Sequence, residues 1–403
     1  VTRSMAPIFT HATIPPTTHA TATHARPAPR HRVARRAPTP SSTESSSNGA
    51  RSSSRIVPAR APDIDREFVG DLSRASRPDS RRARVASRDE DSQGRFRAST
   101  PRPFSSRHFA PVDARAMPTT TLTCGAEGVR LTTATHECEI ATHGAHVTSW
   151  RRRRDGRELL FTSSAAVTDG TKAIRGGIPV CFPQFSDLGP CAASHGFART
   201  SAWEVGATTE TTATFTLRSD GGADARDEAF PHAHVVEYVV CVDGEMLTTT
   251  MRVTNEGEDA FEFTTALHTY FRVGDCERAR VEGLKSTSYL DSLDGRREKT
   301  DEMDAVEFHE EVDRIYLDAP AVLKIRDAST PESGYGGTFT IEKSATLPDA
   351  VVWNPWVEKS KKMGDFRDDE YREMVCVEVA GTRKMSVAPG ATWEGSQTIS
   401  FAA

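Results

Sequence analysis

From about Pro118 to the end of the chain, apolar and polar positions alternate with a period of two through a succession of short segments. They read "TTTLTCG", "VTSWRRR", "TATFTLRS", "HVVEYVVCV", "MLTTTMRVTN", "FEFTTALHTYFRV", "TFTIEK", "DAVVWNPW", "MVCVEVA" and "TWEGSQTISF". Each is rich in Thr, Val, Phe or Tyr, and alternation of this kind predicts half-buried antiparallel strands. Turn signals such as Asn255-Glu256-Gly257 and Asp294-Gly295 separate them, at the spacing of roughly 8–15 residues expected of a β-sandwich. Helical periodicity is scarce. No second linker interrupts the pattern, so residues 118–403 are expected to form one all-β domain built on large antiparallel sheets.

Upstream the pattern is lost. Residues 1–62 contain one acidic residue, Glu44, and no lysine, and are dominated by Arg, Ser, Thr, Pro and Ala. Such a segment cannot bury enough apolar surface to fold alone. Its Arg-rich, Ser-rich, acid-poor character without an apolar stretch predicts an organellar transit peptide, chloroplast in preference to mitochondrial, with an unaddressed disordered tail as the alternative. Residues 63–117 stay polar and arginine-laden and are expected to be a linker. A basic leader inside a chain of net charge −5 makes the folded part more acidic than the total, which argues against a nucleic-acid partner. The run Arg151 to Arg154 lacks interleaved aromatics and precedes Asp155-Gly156, as a solvated strand end and turn would. Seven cysteines with no CxxC pair suit a reducing compartment, and no apolar run approaches the ~20 residues of a membrane span. A soluble monomer is expected.

Three segments break the strand pattern with clustered polar groups. In "IRGGIPVCFPQFSDLGPCAASHGFART", Arg175 precedes Gly176-Gly177, whose missing Cβ atoms would let the backbone approach a ligand, and Arg199 closes "SHGFAR". Guanidinium groups present a planar fork suited to phosphate or carboxylate, so the pair reads as an anion site or as surface ion pairs. His268 lies in an apolar aromatic segment, where it is either a proton carrier near neutrality or a hydrogen-bonded core residue. Glu378 lies inside "MVCVEVA", where a carboxylate is costly unless paired with an arginine or functional as a base. His232 and His234 have the alternate spacing of some metal sites but no third ligand nearby, and His143 and His146 are equally weak candidates. Trp353 and Trp356 of "WNPW" fit either core packing or a sugar-stacking wall. A P-loop, GxGxxG and GxSxG are all absent from the sequence, which removes nucleotide-binding and serine-hydrolase readings.

Taken in order, "IRGGIPVCFPQF", "HGFAR", "LHTYF", "DAVVWNPW" and "CVE" resemble the motifs of the glucose-6-phosphate 1-epimerases, hexose-phosphate mutarotases of the galactose mutarotase-like superfamily. The resemblance covers residues 118 to 401. It implies a β-supersandwich with the site in a cleft on a concave sheet face. It also implies catalysis without cofactor or metal on a hexose 6-phosphate, with His268 as general acid and Glu378 as general base. Arg175 and Arg199 would hold the substrate, His195 would touch the sugar, and Asp313 of "EVDRIY" would contact it as well. Ser194 stands where many relatives contact ligand through a glutamine, and its shorter hydroxyl would weaken that contact or mediate it through water. Two alternatives remain: a non-catalytic sugar-phosphate-binding module, and a mutarotase for unphosphorylated aldoses.

Overall fold

The computed structural model describes residues 119–403 apart from 223–225, 227 and 331–333. The transit peptide and linker expected upstream lie outside the described residues. The predicted strands form where alternation is cleanest. "MLTTTMRVTN" is the strand Met246–Asn255, "TATFTLRS" is Thr212–Ser219, and "HVVEYVVCV" lies within His234–Asp243. Each buries every second side chain, as one-sided packing requires. "TTTLTCG" yields only the two-residue strand Thr120–Thr121.

The strands make three antiparallel sheets of four, eight and nine strands. The eight-stranded sheet carries the candidate site. Its central order runs Val312–Tyr316, Asp349–Asn354, Met374–Val387, Phe261–Leu267, Val180–Cys181, and Tyr270–Arg272 pairs with the upper part of Met374–Val387. Register fixes which side chains share a face. Val351 sits opposite Glu378, Trp353 opposite Cys376, and Asp313 opposite Trp353. With period two, Asp313, Val351, Trp353, Cys376 and Glu378 all emerge on one face. Val377, Val379, Ala350 and Val352 occupy the other, in a buried cluster shared with Tyr238, Val253 and Ile399 of the nine-stranded sheet. One face therefore builds the core, and the opposite face carries the polar groups.

The segment "FEFTTALHTYFRV" is not one strand. It breaks into Phe261–Leu267 and Tyr270–Arg272, and the N–H of Thr269 donates to Leu267 O at 2.9 Å across His268. A three-residue turn of this kind re-aims its central side chain. Gln397 Nε2 anchors the turn by donating to Thr269 Oγ1 at 2.9 Å. The arginine run is the strand end and turn expected, with Arg151 paired to Glu137, but Arg152 is not solvated: it is buried over the Phe401 ring and paired with Asp155 of the following turn.

The glycine pair plays a different part from the one expected. The segment is sewn between two neighbours, Gly177 N–H donating to Phe161 O and Ile178 N–H to Val147 O. A Cβ on Gly176 would lie 2.4 Å from Phe161 O, and one on Gly177 would lie 2.0 Å from Val147 O. The missing Cβ atoms admit protein backbone, and the ligand approach assigned to them is corrected accordingly. His146, fully buried, donates from Nε2 to Gly176 O at 2.7 Å.

Candidate active site

A cleft of about 340 Å³ opens on the polar face of the eight-stranded sheet. His268 and Glu378 line it together with Arg175, Ser194, His195, Asp313, Trp353 and Lys359. Six of the seven residues expected to form a site thus line one cavity, although they span residues 175 to 378 of the chain. Arg199 is the exception.

His268 Nδ1 lies 3.2 Å from Glu378 Oε1, without the alignment of a hydrogen bond, and Nδ1 and Glu378 Oε2 are both buried without a hydrogen-bond partner. The histidine is therefore not a satisfied core residue, and Glu378 is not an arginine's structural partner. The His268 ring stacks on Tyr270 at 4.8 Å and 8°, and meets the edge of Trp353 at 5.9 Å and 86°. Aromatic packing on two sides fixes its plane. Burial pushes the Glu378 carboxyl well above its usual range, and the Asp313 charge adds to this. Burial likewise pushes the His268 imidazole well down, helped by His195, Arg199 and Arg175. Both shifts disfavour charge in a dry site.

Arg175 is gripped on two edges. Nε and Nη2 each donate to the Asp365 carboxylate at 3.3 Å, and Nη1 donates to Tyr270 Oη at 3.2 Å. Three N–H groups are used this way, and the rest remain for a ligand oxygen. Arg199 does not line the cleft. Its Nη2 donates to Ser194 O at 2.8 Å, which ties the guanidinium to the segment carrying Ser194 and His195, and its charge acts on both His268 and Glu378. The second cation on the cleft wall is Lys359, on the helix Trp356–Ser360, 2.9 Å from Glu311, 3.5 Å from Asp313 and over the Trp353 ring.

His195 has the left-handed backbone of φ 64°, held by its own N–H donating to Ser186 O and by Ser186 N–H donating to His195 Nδ1 at 3.1 Å. Burial, with Arg199 and Arg175 close by, pushes its pKa down to about 3. The ring is therefore neutral near pH 7 with its proton on Nε2, a donor on a residue that lines the cleft. "WNPW" divides its work: Trp353 lines the cleft, whereas Trp356 packs on Tyr371 at 5.0 Å. His234 Nδ1 lies 2.6 Å from His232 O, and both rings pack against Phe230 and Phe261. The donor cluster close enough for a metal among the described residues is His268, Cys376 and Glu378.

The buried histidines give the fold an acid limit. His146 is pushed from 6.5 down to about 3, chiefly by burial. Its unfolded form binds a proton that the folded form refuses between those values. This contribution is present above pH 6.5 and is lost as pH falls toward 3, at ~1.4 kcal/mol per pH unit. Urea titrations between these limits should show the slope of unfolding free energy against pH reduced by about that amount in His146→Gln. An unchanged slope would remove His146 from the account.

The aldose 1-epimerase family matches residues 128–400. The chain belongs to it. A relative from Cenchrus ciliaris named "Putative glucose-6-phosphate 1-epimerase" is 40% identical over 290 residues, 68% of this chain and 85% of its own length. A crystal structure titled as a putative mutarotase (YeaD) from Salmonella typhimurium superposes with a TM-score of 0.60 at 29% identity, over 68% of this chain and 90% of that one. A galactose mutarotase-like protein from Lactobacillus casei shares the fold at 14% identity and a TM-score of 0.52, over 68% of this chain and all of its own. The all-β antiparallel architecture expected from the strand pattern and the galactose mutarotase-like fold implied by the resemblance are the observed ones.

Proposed function

We propose that this aldose 1-epimerase family member interconverts the α and β anomers of D-glucose 6-phosphate, and of other hexose 6-phosphates, by opening and reclosing the pyranose ring. The observation that carries the reading is the His268–Glu378 contact of 3.2 Å in a cleft that Arg175 and Lys359 also line. Ring opening needs one proton taken from the anomeric hydroxyl and one delivered to the ring oxygen. Glu378 as carboxylate takes the first and His268 as imidazolium delivers the second. The pair ends the step as carboxylic acid and neutral imidazole, the forms that burial favours. Rotation about C1–C2 presents the other face of the aldehyde. The same two groups then run backward and close the ring to the opposite anomer.

The phosphate lies at the far end of the sugar from C1, where Arg175, locked by Asp365 and Tyr270, gives it charge-assisted donors and Lys359 adds charge. This binding orients the ring over the proton carriers and acts mainly on affinity. The cations argue against a mutarotase for unphosphorylated sugars, and the paired proton carriers argue against a binding module. Anomer-exchange NMR tests both points. Wild type should exchange glucose 6-phosphate far faster than glucose, His268→Ala should bind without exchange, and Arg175→Ala should raise KM roughly 10–100-fold with kcat little changed. Equal turnover of glucose and its 6-phosphate would overturn the anion site, and undiminished exchange in His268→Ala would overturn the mechanism.

A further inference from the structure

We propose that Cys376 joins His268 and Glu378 to make a binding site for a thiophilic divalent cation of the zinc type, and that the bound cation blocks the catalytic pair. Cys376 and Glu378 are alternate residues of one strand, so their side chains leave the sheet on the same face. Cys376 is held between Tyr270 and Trp353 on the neighbouring strands, the two aromatic residues that flank the His268 ring. A ring nitrogen of His268, the Cys376 Sγ and a Glu378 carboxylate oxygen all lie within 4.8 Å of one another, and all three residues are buried. His268 Nδ1 and Glu378 Oε2 have no hydrogen-bond partner, a costly arrangement for buried polar atoms that invites a ligand.

Acid/base work accounts for the histidine and the glutamate but makes no use of the thiol. Zinc bonds of ~2.0–2.3 Å to N, O and S in a tetrahedral frame set donor atoms roughly 3.3–3.7 Å apart, so the cluster needs to close by about 1 Å. One thiolate, one carboxylate and one neutral imidazole balance a dication, which leaves the dry pocket neutral. On binding, the thiol proton leaves to solvent together with any proton the histidine and glutamate carry between them. A sulfur donor beside imidazole selects zinc over magnesium or calcium. Three protein ligands leave a fourth position toward the cleft, where the sugar would otherwise sit.

Inhibition rests on the acid/base reading above, whereas metal uptake does not, so the two are measured separately on the full chain. After treatment with EDTA, wild type should take up one equivalent of zinc by calorimetry, and Co²⁺ in its place should show a thiolate-to-cobalt charge-transfer band. Zinc should suppress anomer exchange and EDTA should restore it. Cys376→Ser, and Cys376→Ala as a second variant, should keep exchange in EDTA, lose the cobalt band and bind zinc at least ~10-fold more weakly. Absence of zinc uptake by wild type, or equal uptake by wild type and both variants, overturns the proposal. Uptake that depends on Cys376 in a protein showing no exchange in EDTA would keep the metal site and remove the catalytic reading.

Discussion

Glu378→Gln is expected to lower kcat for anomer exchange by ~10²–10⁴-fold while changing KM by no more than a few fold. The amide keeps the shape of the side chain and cannot take a proton from the anomeric hydroxyl. Binding should survive because the substrate's charge is met by Arg175 and Lys359, which the substitution does not touch. Stability should not fall with activity. Glu378 is 1% exposed, its Oε2 has no hydrogen-bond partner, and burial already penalises its charged form. A neutral amide removes that penalty, so melting should occur at or above the wild-type temperature, a trade of stability against function common at catalytic positions. A variant that loses activity and also melts early would have lost its fold. A variant with kcat within a few fold of wild type would show that Glu378 carries no proton.

The strands could be read because alternation is a local property: Met246–Asn255 and Thr212–Ser219 appear with the bounds the pattern sets. Glu378 and His268 stood out for a similar reason, since a carboxylate or an imidazole inside an apolar run violates the pattern where it occurs. Other members of the site break no local rule. Asp365 lies in a polar stretch 190 residues from the arginine it grips, and Lys359 follows a glutamate on a short helix whose approach to the cleft depends on the turn after Asn354. That turn forms because Asn354 Nδ2 donates to Tyr371 O and Met374 O while its Oδ1 accepts from Trp356 N–H. Cys376 sits in an apolar strand where a cysteine breaks no pattern, and it is register that places it opposite Trp353 and Tyr270. Tertiary pairing is the common cause, and the local alternation of a strand does not report which distant segment it pairs with. Arg199 shows the converse. A guanidinium flanking a Gly-rich loop suggests a ligand, and this one also bonds its own loop at Ser194 O, a use that breaks no local rule of the sequence.

The same distinction governs the glycine pair. Gly177→Ala is expected to destabilise the protein by about 4 kcal/mol or more, lowering the melting temperature by roughly 10 °C. Two costs combine. The residue sits at φ +58°, where an L side chain loses about 1–2 kcal/mol. Its Cβ would also lie 2.0 Å from Val147 O and 2.8 Å from His146 Nε2, and relief would require breaking the bond by which Ile178 N–H reaches Val147 or the one from His146 to Gly176 O. Gly295→Ala separates the two costs, because Gly295 has φ +61° with nothing near the position of a Cβ. That variant should lose only the backbone share, about 1–2 kcal/mol. Equal effects at the two positions would mean that φ alone matters and that the seam between Phe161 and Val147 is slack. A larger effect at Gly177 means the seam is rigid. Arg175, two residues before it, then reaches the cleft from a fixed backbone, and its placement for a ligand is set by the packing of this segment on Phe161 and Val147 as much as by Asp365.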